Sequence, residues 1–244
     1  MPTFKDTGLV LREVETAENS KRLLLLTGQR GKIWVFARGA SNTKSKLKAQ
    51  KMAFCEFVIY DGGQFLSLTQ VSQIRAFNAI ASDFVGYCVA NFLLEAVDKM
   101  LLPEMRADEA LRVILSAFVR LDKKSDPWIV FVSVTFKLLQ LEGFVPITTN
   151  CSICSQIFSE KYFFGQDGVT CEKCCGIPFS KEATSALEYI LKSPIHKMFN
   201  FRASSDVLHA LVSAVLLFFD YHVETHLNSM ESIRDCIMSL LKHK

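Results

Sequence analysis

The chain has 244 residues, half of them hydrophobic, and carries a formal net charge of +3 at pH 7. This length and apolar content are enough to bury a sizeable core, which excludes a mostly disordered protein. The longest strongly apolar stretch, residues 207–219, is too short to cross a bilayer, and no targeting segment is recognised. We therefore expect a globular protein without membrane association, and its cysteine usage suits a reducing cytoplasm.

The basic residues are concentrated in the first fifth of the chain. Residues 1–51 contain eleven Lys or Arg against four Asp or Glu, whereas residues 52–150 contain eight against eleven and residues 151–244 nine against ten. A run of bases without intervening acids is typical of a phosphate-binding surface, although a solvated basic loop has the same composition. The basic residues predicted to contact nucleic acid are Arg30, Lys32, Arg38, Lys44, Lys46, Lys48 and Lys51.

The first 80 residues have the pattern of a small β-barrel. Their apolar residues fall into short runs separated by turn residues, and Asp61-Gly62-Gly63-Gln64 is a good hairpin signal. About five short strands in a segment of this size predict a closed barrel, and the OB-fold is a nucleic-acid-binding barrel with that strand number. The predicted strands are centred on residues 9–14, 23–27, 32–36, 54–60 and 65–69.

The third predicted strand alternates between two faces. Ile33 and Val35 form one side, and Lys32, Trp34 and Phe36 form the other. Because the two aromatic rings lie among bases, they are candidates for stacking on unpaired nucleobases. Burial in a core or against a helical domain is the alternative for both rings. We include Trp34 among the predicted nucleic-acid contacts.

From about Ser82 onward, the apolar residues recur with the period of a helix. A first helix is predicted to end near Pro103, Asp108 is a candidate N-cap for a second, and Asp126-Pro127 is a start signal for a third. The third segment is rich in β-branched residues, so a strand is the alternative, but its length favours a helix. Three more helices are predicted at residues 180–192, 206–226 and 229–242.

Four cysteines, Cys151-x2-Cys154 and Cys171-x2-Cys174, have the spacing of a four-thiolate zinc site. Each pair places two sulfurs on one tight turn, and the two turns together surround one ion. Four thiolates leave no open position for water or substrate, so the predicted zinc is structural rather than catalytic. Cys175 is an alternative ligand to Cys174. A redox pair and a degenerate site without metal are the competing interpretations.

Several short motifs follow one another along nearly the whole chain. They are Ala37-Arg38-Gly39-Ala40 with Lys44-Ser45-x-Leu47, Leu93-Leu94-Glu95 with Leu101, Phe136-Lys137-Leu138-Leu139 with Gly143-Phe144-x-Pro146, and Tyr221 with His226-Leu227 and Ser232. In this order, with a basic barrel first and the cysteine segment before the last helices, the chain resembles the RecO family of bacterial recombination mediators.

Pattern and resemblance together predict an α+β fold, in which an N-terminal OB-fold β-barrel precedes an α-helical domain with an inserted four-cysteine zinc knuckle. The expected divisions are residues 1–80 for the barrel, 81–148 with 179–244 for the helical domain, and 149–178 for the knuckle. The resemblance also implies a bacterial cytoplasmic, nucleoid-associated protein of DNA repair and recombination.

The resemblance implies a function without bond chemistry. RecO-like proteins bind single- and double-stranded DNA, anneal complementary strands and partner RecR, a ring-forming protein. With RecR they help load the RecA recombinase onto DNA coated by the single-stranded-DNA-binding protein, whose C-terminal tail they bind. Family members commonly carry bases after the C-terminal His-Leu pair, where this chain has Asn228, Met230 and Glu231. We therefore expect the barrel to be the main DNA surface.

A non-catalytic adaptor that docks partner proteins, with only incidental DNA contact, is the alternative function. An enzyme is disfavoured because the sequence contains no GxxxxGK[ST] phosphate loop, no nucleophile elbow and no HExxH motif. We accordingly expect no catalytic residues.

Overall fold

The computed structural model describes residues 3–42, 44–158 and 160–242. Within these residues a five-stranded barrel is followed by helices and by a small three-stranded sheet. The barrel strands are β1 (Thr3–Thr16), β2 (Ser20–Thr27), β3 (Gly31–Ala37), β4 (Phe54–Asp61) and β5 (Leu66–Arg75). The α-helices are α1 (Phe84–Met100), α2 (Asp108–Asp122), α3 (Pro127–Leu141), α4 (Lys181–Lys192), α5 (Ser205–His222) and α6 (Ser229–Lys242). The small sheet consists of β6 (Tyr162–Gly165), β7 (Gly168–Cys171) and β8 (Ile177–Phe179).

The barrel closes in the strand order β1-β2-β3-β5-β4, with β4 returning to β1. β3 and β5 pair in parallel over two residue pairs, Val35 with Leu66 and Phe36 with Ser67, and the other pairings are antiparallel. A five-stranded barrel in which one closing contact is short and parallel has the architecture of the OB-fold. The predicted fold class is therefore confirmed.

Four consecutive leucines in β2 are buried because this strand is covered on both faces. Leu23 and Leu25 point into the barrel interior, whereas Leu24 and Leu26 belong to the core formed with the helices. A continuous apolar run, rather than an alternating one, is the pattern of a strand buried on both sides. Full burial of one such side chain is worth about 1.5–3 kcal/mol, so this strand contributes strongly to the attachment between barrel and helices.

The turn between β2 and β3 lies directly against the loop between α1 and α2. Gly31 has a φ of +61°, and a Cβ atom at this position would lie 1.8 Å from the carbonyl oxygen of Met105. The N–H of Ala107 donates to the carbonyl of Gly28 at 2.8 Å, and the N–H of Glu104 donates to the carbonyl of Lys32 at 3.2 Å. Only glycine allows this close approach, which fixes the barrel on the helical part of the chain.

Helix starts follow the predicted signals in one case and depart from them in another. Asp126 caps α3 as predicted, and its carboxylate accepts a hydrogen bond from the N–H of Trp128 at 2.8 Å. The predicted capping role of Asp108 is wrong, because α2 begins at Asp108 itself and follows Ala107 as N-cap residue. The carboxylate of Asp108 instead pairs with Arg106 at 2.9 Å, and its charge lies in the first turn, where it is favoured.

Helix α5 is the most apolar of the last three helices, and its C-terminal half carries the small sheet. It ends at His222, four residues before the predicted end, because Val223 adopts an extended conformation. Phe164 of β6 is fully buried and packs against Phe218 of α5 and Phe179 of β8, with ring centroids 6.2 Å and 5.2 Å apart. Among the described residues, we find no helix with the length and apolarity needed to cross a membrane.

Candidate metal centre and nucleic-acid interface

The two Cys-x2-Cys segments, 151–154 and 171–174, fold into turns of the same geometry. Each is followed by a residue in the left-handed region, Ser155 with a φ of 60° and Cys175 with a φ of 58°. In both turns, the N–H of this residue donates to the carbonyl of the first cysteine at 2.9 Å. The two turns therefore present their sulfurs in equivalent ways, as the spacing predicts.

The four sulfurs of Cys151, Cys154, Cys171 and Cys174 all lie within 4.8 Å of one another. The Sγ atoms of Cys154 and Cys171 are 3.7 Å apart. Four sulfurs placed about 2.3 Å from one tetrahedral ion are separated by about 3.8 Å, so this spacing fits a metal ion at the centre of the cluster. The structure thus brings together all four cysteines predicted as ligands and positions them to bind a metal.

Cys175 lies outside the cluster. Its side chain is exposed, and its thiol donates to the backbone carbonyl of Glu172 at 3.1 Å. Its left-handed backbone closes the second turn and directs the thiol away from the other sulfurs. Among the described cysteines, Cys174 rather than Cys175 completes the group of four.

Backbone amides lower the pKa of two thiols in the cluster. Burial raises the pKa of Cys151, but hydrogen bonds from the N–H groups of Cys154, Cys171 and Ile153 outweigh it and lower the pKa to about 6. The pKa of Cys171 is lowered as well, mainly by the N–H of Cys174. The pKa of Cys174 is raised to about 12, first by its hydrogen bond with Cys154. Amide donors favour thiolates, and a divalent cation offsets the repulsion between neighbouring thiolates.

The hairpin formed by β6 and β7 supports the first cysteine turn. The N–H of Ser152 donates to the carbonyl of Val169, and the N–H of Val169 donates to the carbonyl of Ile147. Gly168 has a φ of +133°, and a Cβ atom there would lie 2.3 Å from the Ile147 carbonyl oxygen. The segment that leads into Cys151 is therefore held against β7 by close backbone contact, for which a glycine is required.

A groove of about 1190 Å³ runs along the outer side of β3. It lies between this strand, the loop joining β4 to β5, and the loop joining α1 to α2. In OB-folds, the β2–β3 face and the β4–β5 loop form the oligonucleotide-binding surface, which is the position of this groove. The basic and aromatic side chains that line it are Arg22, Arg30, Lys32, Trp34, Phe36 and Phe65.

Trp34 is half-buried and carries two arginine side chains over its indole ring. The guanidinium carbons of Arg12 and Arg22 lie 5.1 Å and 4.8 Å from the ring centroid. Such cation–π contacts hold the two charged groups near one another despite their like charge. Trp34 thus positions a pair of arginines on the barrel surface in addition to offering its own ring.

Lys32 points toward the helical part of the chain rather than into solvent. Its side chain is only 8% exposed, and its ammonium group donates to the backbone carbonyl of Asp98 and lies 3.4 Å from the carboxylate of that residue. The same carboxylate is 3.8 Å from the guanidinium of Arg12. This burial argues against a phosphate contact by Lys32, although alternation placed it beside Trp34.

The remaining predicted bases are exposed, and the structure places them in three positions. Arg30 lies in the β2–β3 turn with its guanidinium 3.8 Å from the ring centroid of Phe4. Lys51 donates from its ammonium to the side-chain oxygen of Asn91 on α1 at 2.6 Å. The other bases lie outside the groove, on the long loop between β3 and β4. They are Arg38, Lys44, Lys46 and Lys48, and their contact with nucleic acid stays a prediction.

Three residues of this surface were not identified from the sequence. Arg12 and Arg22 lie on β1 and β2, and their approach to Trp34 appears only when the barrel closes. Phe65 is 73% exposed at the end of the β4–β5 loop. Its position directly after Gly62-Gly63-Gln64 was the available signal, because that loop borders the binding surface in OB-folds.

Comparison with known families matches both parts of the chain. Residues 1–77 match the family model described as "Recombination protein O N terminal", and residues 81–231 match "Recombination protein O C terminal". The two matched segments cover the barrel and nearly all of the helical part, including the cysteine cluster.

Curated relatives are similar over most of their length. A protein from Acetivibrio thermocellus named "DNA repair protein RecO" is 28% identical, covering 96% of this chain and 97% of the relative. A protein of the same name from Caldicellulosiruptor bescii is 34% identical over 71% of this chain and 73% of its own length. A third, from a Thermoanaerobacter species, is 24% identical over 96% of this chain and 98% of the relative.

Proposed function

This chain belongs to the recombination protein O (RecO) family of DNA repair proteins, and on that premise we propose that it is a DNA-binding recombination mediator. The observation that carries the proposal is the OB-fold barrel, with its aromatic and arginine-lined groove beside an exposed lysine loop. Arginine and lysine neutralise phosphates without reading base sequence, and exposed rings stack on any base. Such a surface suits a protein that acts on DNA of any sequence.

We propose that the mediator anneals complementary strands and, with RecR, helps RecA to load on single-stranded DNA coated by the single-stranded-DNA-binding protein. RecR and the C-terminal tail of the coating protein are the proposed protein partners, and the bacterial nucleoid is the proposed location. Neither binding nor annealing requires a bond to be made or broken, so no residue is assigned a catalytic role.

We propose zinc as the ion of the cysteine cluster. Thiolate ligands are soft, and a closed tetrahedral set of four sulfurs is the usual structural zinc site. The cluster joins the β6–β7 hairpin to the segment that begins at Cys151, so a bound ion would fix this part of the chain on α5. Its proposed role is structural, because no ligand position is left for a substrate.

The annealing activity is tested directly with complementary oligonucleotides coated by the single-stranded-DNA-binding protein. We expect the purified protein to accelerate duplex formation, and RecR to be needed for RecA loading. Absence of acceleration, together with retained binding to RecR and to the tail peptide, would support the adaptor function instead.

The contribution of the loop lysines is tested by the triple variant Lys44→Gln, Lys46→Gln, Lys48→Gln. For a single strand, each phosphate contact contributes about 0.7 to the steepness with which log affinity falls against log salt concentration. Because the variant loses three contacts, we expect the magnitude of this slope to fall by about 2. A matched control neutralises three exposed lysines of the helical part, Lys123, Lys181 and Lys197. Equal slopes for the two triple variants in mobility-shift titrations would refute the phosphate contacts of the loop.

A further inference from the structure

A second groove, of about 530 Å³, lies where the barrel meets the helices. One wall comes from the barrel and includes Arg12 and Lys51, and the other comes from α1 and includes Phe84 and Tyr87. The start of α6, at Ser229, closes one end. Barrel and helix are linked across the groove by the hydrogen bond between Lys51 and the α1 residue Asn91.

The α1 wall of this groove is aromatic and exposed. Phe84 is 73% exposed and Tyr87 is 44% exposed, whereas Phe92 on the same helix is fully buried. Because Phe84 and Tyr87 are three residues apart, their side chains are neighbours on one face of the helix. Two adjacent rings that contribute little to the core form the kind of platform on which successive bases stack.

The two acidic side chains of the groove are already engaged within the protein. Glu95 accepts hydrogen bonds from the N–H groups of Asn228 and Ser229 at 3.0 Å and 2.8 Å. Asp98 is paired with Lys32 and Arg12. Three basic side chains, Arg12, Lys51 and Lys99, line the groove against these two carboxylates, and this excess of positive charge favours an anionic ligand.

The two grooves are adjacent at the contact between Trp34 and Arg12. The indole ring lines the barrel groove, and Arg12, whose guanidinium lies over that ring, lines the second groove. Arginine at the meeting point can contact a phosphate from either side. A strand that leaves the barrel groove over Trp34 therefore enters a channel with the same combination of bases and rings.

We propose that the second groove is a binding site for single-stranded nucleic acid that extends the path of the barrel groove onto α1. In this site, nucleobases stack on Phe84 and Tyr87, and phosphates contact Arg12 and Lys51. This inference rests on the proposed DNA-binding function and adds to it a second segment of the strand. It requires affinity to keep rising for oligonucleotides longer than the barrel groove alone accommodates.

The test measures binding of oligothymidylates by fluorescence anisotropy, with lengths from about 4 to about 30 nucleotides to bracket the roughly 4–16 nucleotides bound by one OB-fold. We expect the double variant Phe84→Ala, Tyr87→Ala to bind long oligonucleotides at least about thirty-fold more weakly than the wild type and to bind short ones equally well. Tyr221→Ala removes a ring of similar exposure on α5 and serves as the matched control.

The outcomes separate this inference from the function on which it rests. Failure of the wild type to bind any of the oligonucleotides contradicts the DNA-binding function itself. If the double variant binds oligonucleotides of every length as tightly as the wild type does, the second groove is not a nucleic-acid site. The same conclusion follows if the double variant loses only its binding to the tail peptide of the single-stranded-DNA-binding protein. The single variant Tyr87→Trp keeps an aromatic platform, so it is expected to retain the affinity for long oligonucleotides. If Tyr87→Trp loses as much affinity for long oligonucleotides as the double variant does, base stacking on this platform is also contradicted.

Discussion

The cysteine cluster and the junction between barrel and α1 are specified by the sequence in different ways. All four sulfurs of the cluster come from one short segment, residues 151–174, in which each pair is set by a local turn. The junction instead joins Lys32 to Asp98, which are 66 residues apart, and Asp98 also pairs with Arg12 on another strand. A local site can be identified from spacing, whereas a junction built from distant residues appears only when the chain has folded.

The two regions also differ in the interactions that stabilise them. The cluster has little apolar burial of its own at the turns, where Cys154 is exposed and Ile153 is 64% exposed, so we expect metal ligation to stabilise it instead. The junction lies over a large apolar core. Its polar groups therefore fix how the barrel is oriented on α1, while apolar burial supplies most of the stability. Removal of a ligand is therefore expected to have a larger effect than removal of a junction charge.

The largest effect is predicted for Cys171→Ser. A serine hydroxyl is a poor zinc ligand, so we expect loss of the metal and loss of several kcal/mol of stability, within the apparent binding energy of about 10–16 kcal/mol for structural zinc in finger peptides. Cys175→Ser is the control, because the thiol of Cys175 lies outside the cluster. Metal content by plasma emission and thermal unfolding check both variants. Full metal content in Cys171→Ser, or its loss in Cys175→Ser, would contradict the ligand assignment.

Much of the fold could be predicted because its signals are local. The Asp126-Pro127 start of α3, the hairpin turn between β4 and β5, and the two cysteine turns each depend on a few adjacent residues. The departures have non-local causes. Asp108 was expected to cap α2, but a partner in Arg106 and the start of the helix at Asp108 give its carboxylate another role. The division at residues 1–80, 81–148 with 179–244, and 149–178 stays a prediction.

The nucleic-acid surface was predicted less completely than the cluster. Alternation correctly grouped Ile33 and Val35 on one face of β3, which the structure places in the barrel interior, but it could not distinguish a base facing solvent from one facing another domain. Both Lys32 and Trp34 border the groove on the same side of β3, but the ammonium group of Lys32 is buried against α1, whereas the Trp34 ring is half-buried. The contribution of Arg22 depends on strand pairing, which places it opposite Phe36 and beside the Trp34 ring.

An intermediate effect is predicted for the buried ion pair of the junction. Asp98→Ala leaves the ammonium group of Lys32 buried without its carboxylate, so we expect a loss of about 3 kcal/mol in the free energy of unfolding. The double variant Lys32→Met, Asp98→Ala replaces the pair by apolar groups and is expected to recover most of this loss. Chemical denaturation of the variants measures both values.

The same pair tests whether Lys32 contacts DNA. We expect Lys32→Met to leave the salt dependence of DNA binding unchanged, because its ammonium group is directed at Asp98. A decrease of about 0.7 in the magnitude of the slope of log affinity against log salt concentration would instead indicate that Lys32 contacts a phosphate. It would also show that the junction opens when DNA binds.

The smallest effect is predicted for Glu95→Gln, which removes the charge that caps the start of α6. Burial alone would raise the pKa of Glu95, but the hydrogen bonds donated by Ser229 and Asn228 lower it below its ordinary value of 4.5. A carboxylate with a lowered pKa in the folded state stabilises the protein above pH 4.5, and this contribution disappears as the pH falls through the folded-state pKa. We expect a loss of about 1 kcal/mol at neutral pH, limited by solvent screening, and no difference in strong acid.

Ser229→Ala provides the comparison for this prediction, because it keeps the carboxylate and removes one of the hydrogen bonds to it. Its stability is expected to lie between those of the wild type and Glu95→Gln at neutral pH and to retain a weaker dependence on pH. Urea unfolding from about pH 3 to about pH 7 would measure the three curves across the range in which the carboxylate titrates. If the stability of Glu95→Gln has the same pH dependence as that of the wild type, the Glu95 carboxylate does not stabilise the folded state. In that case α6 is attached to α1 by apolar packing alone, and the polar contacts beside the junction add nothing to the stability of the core.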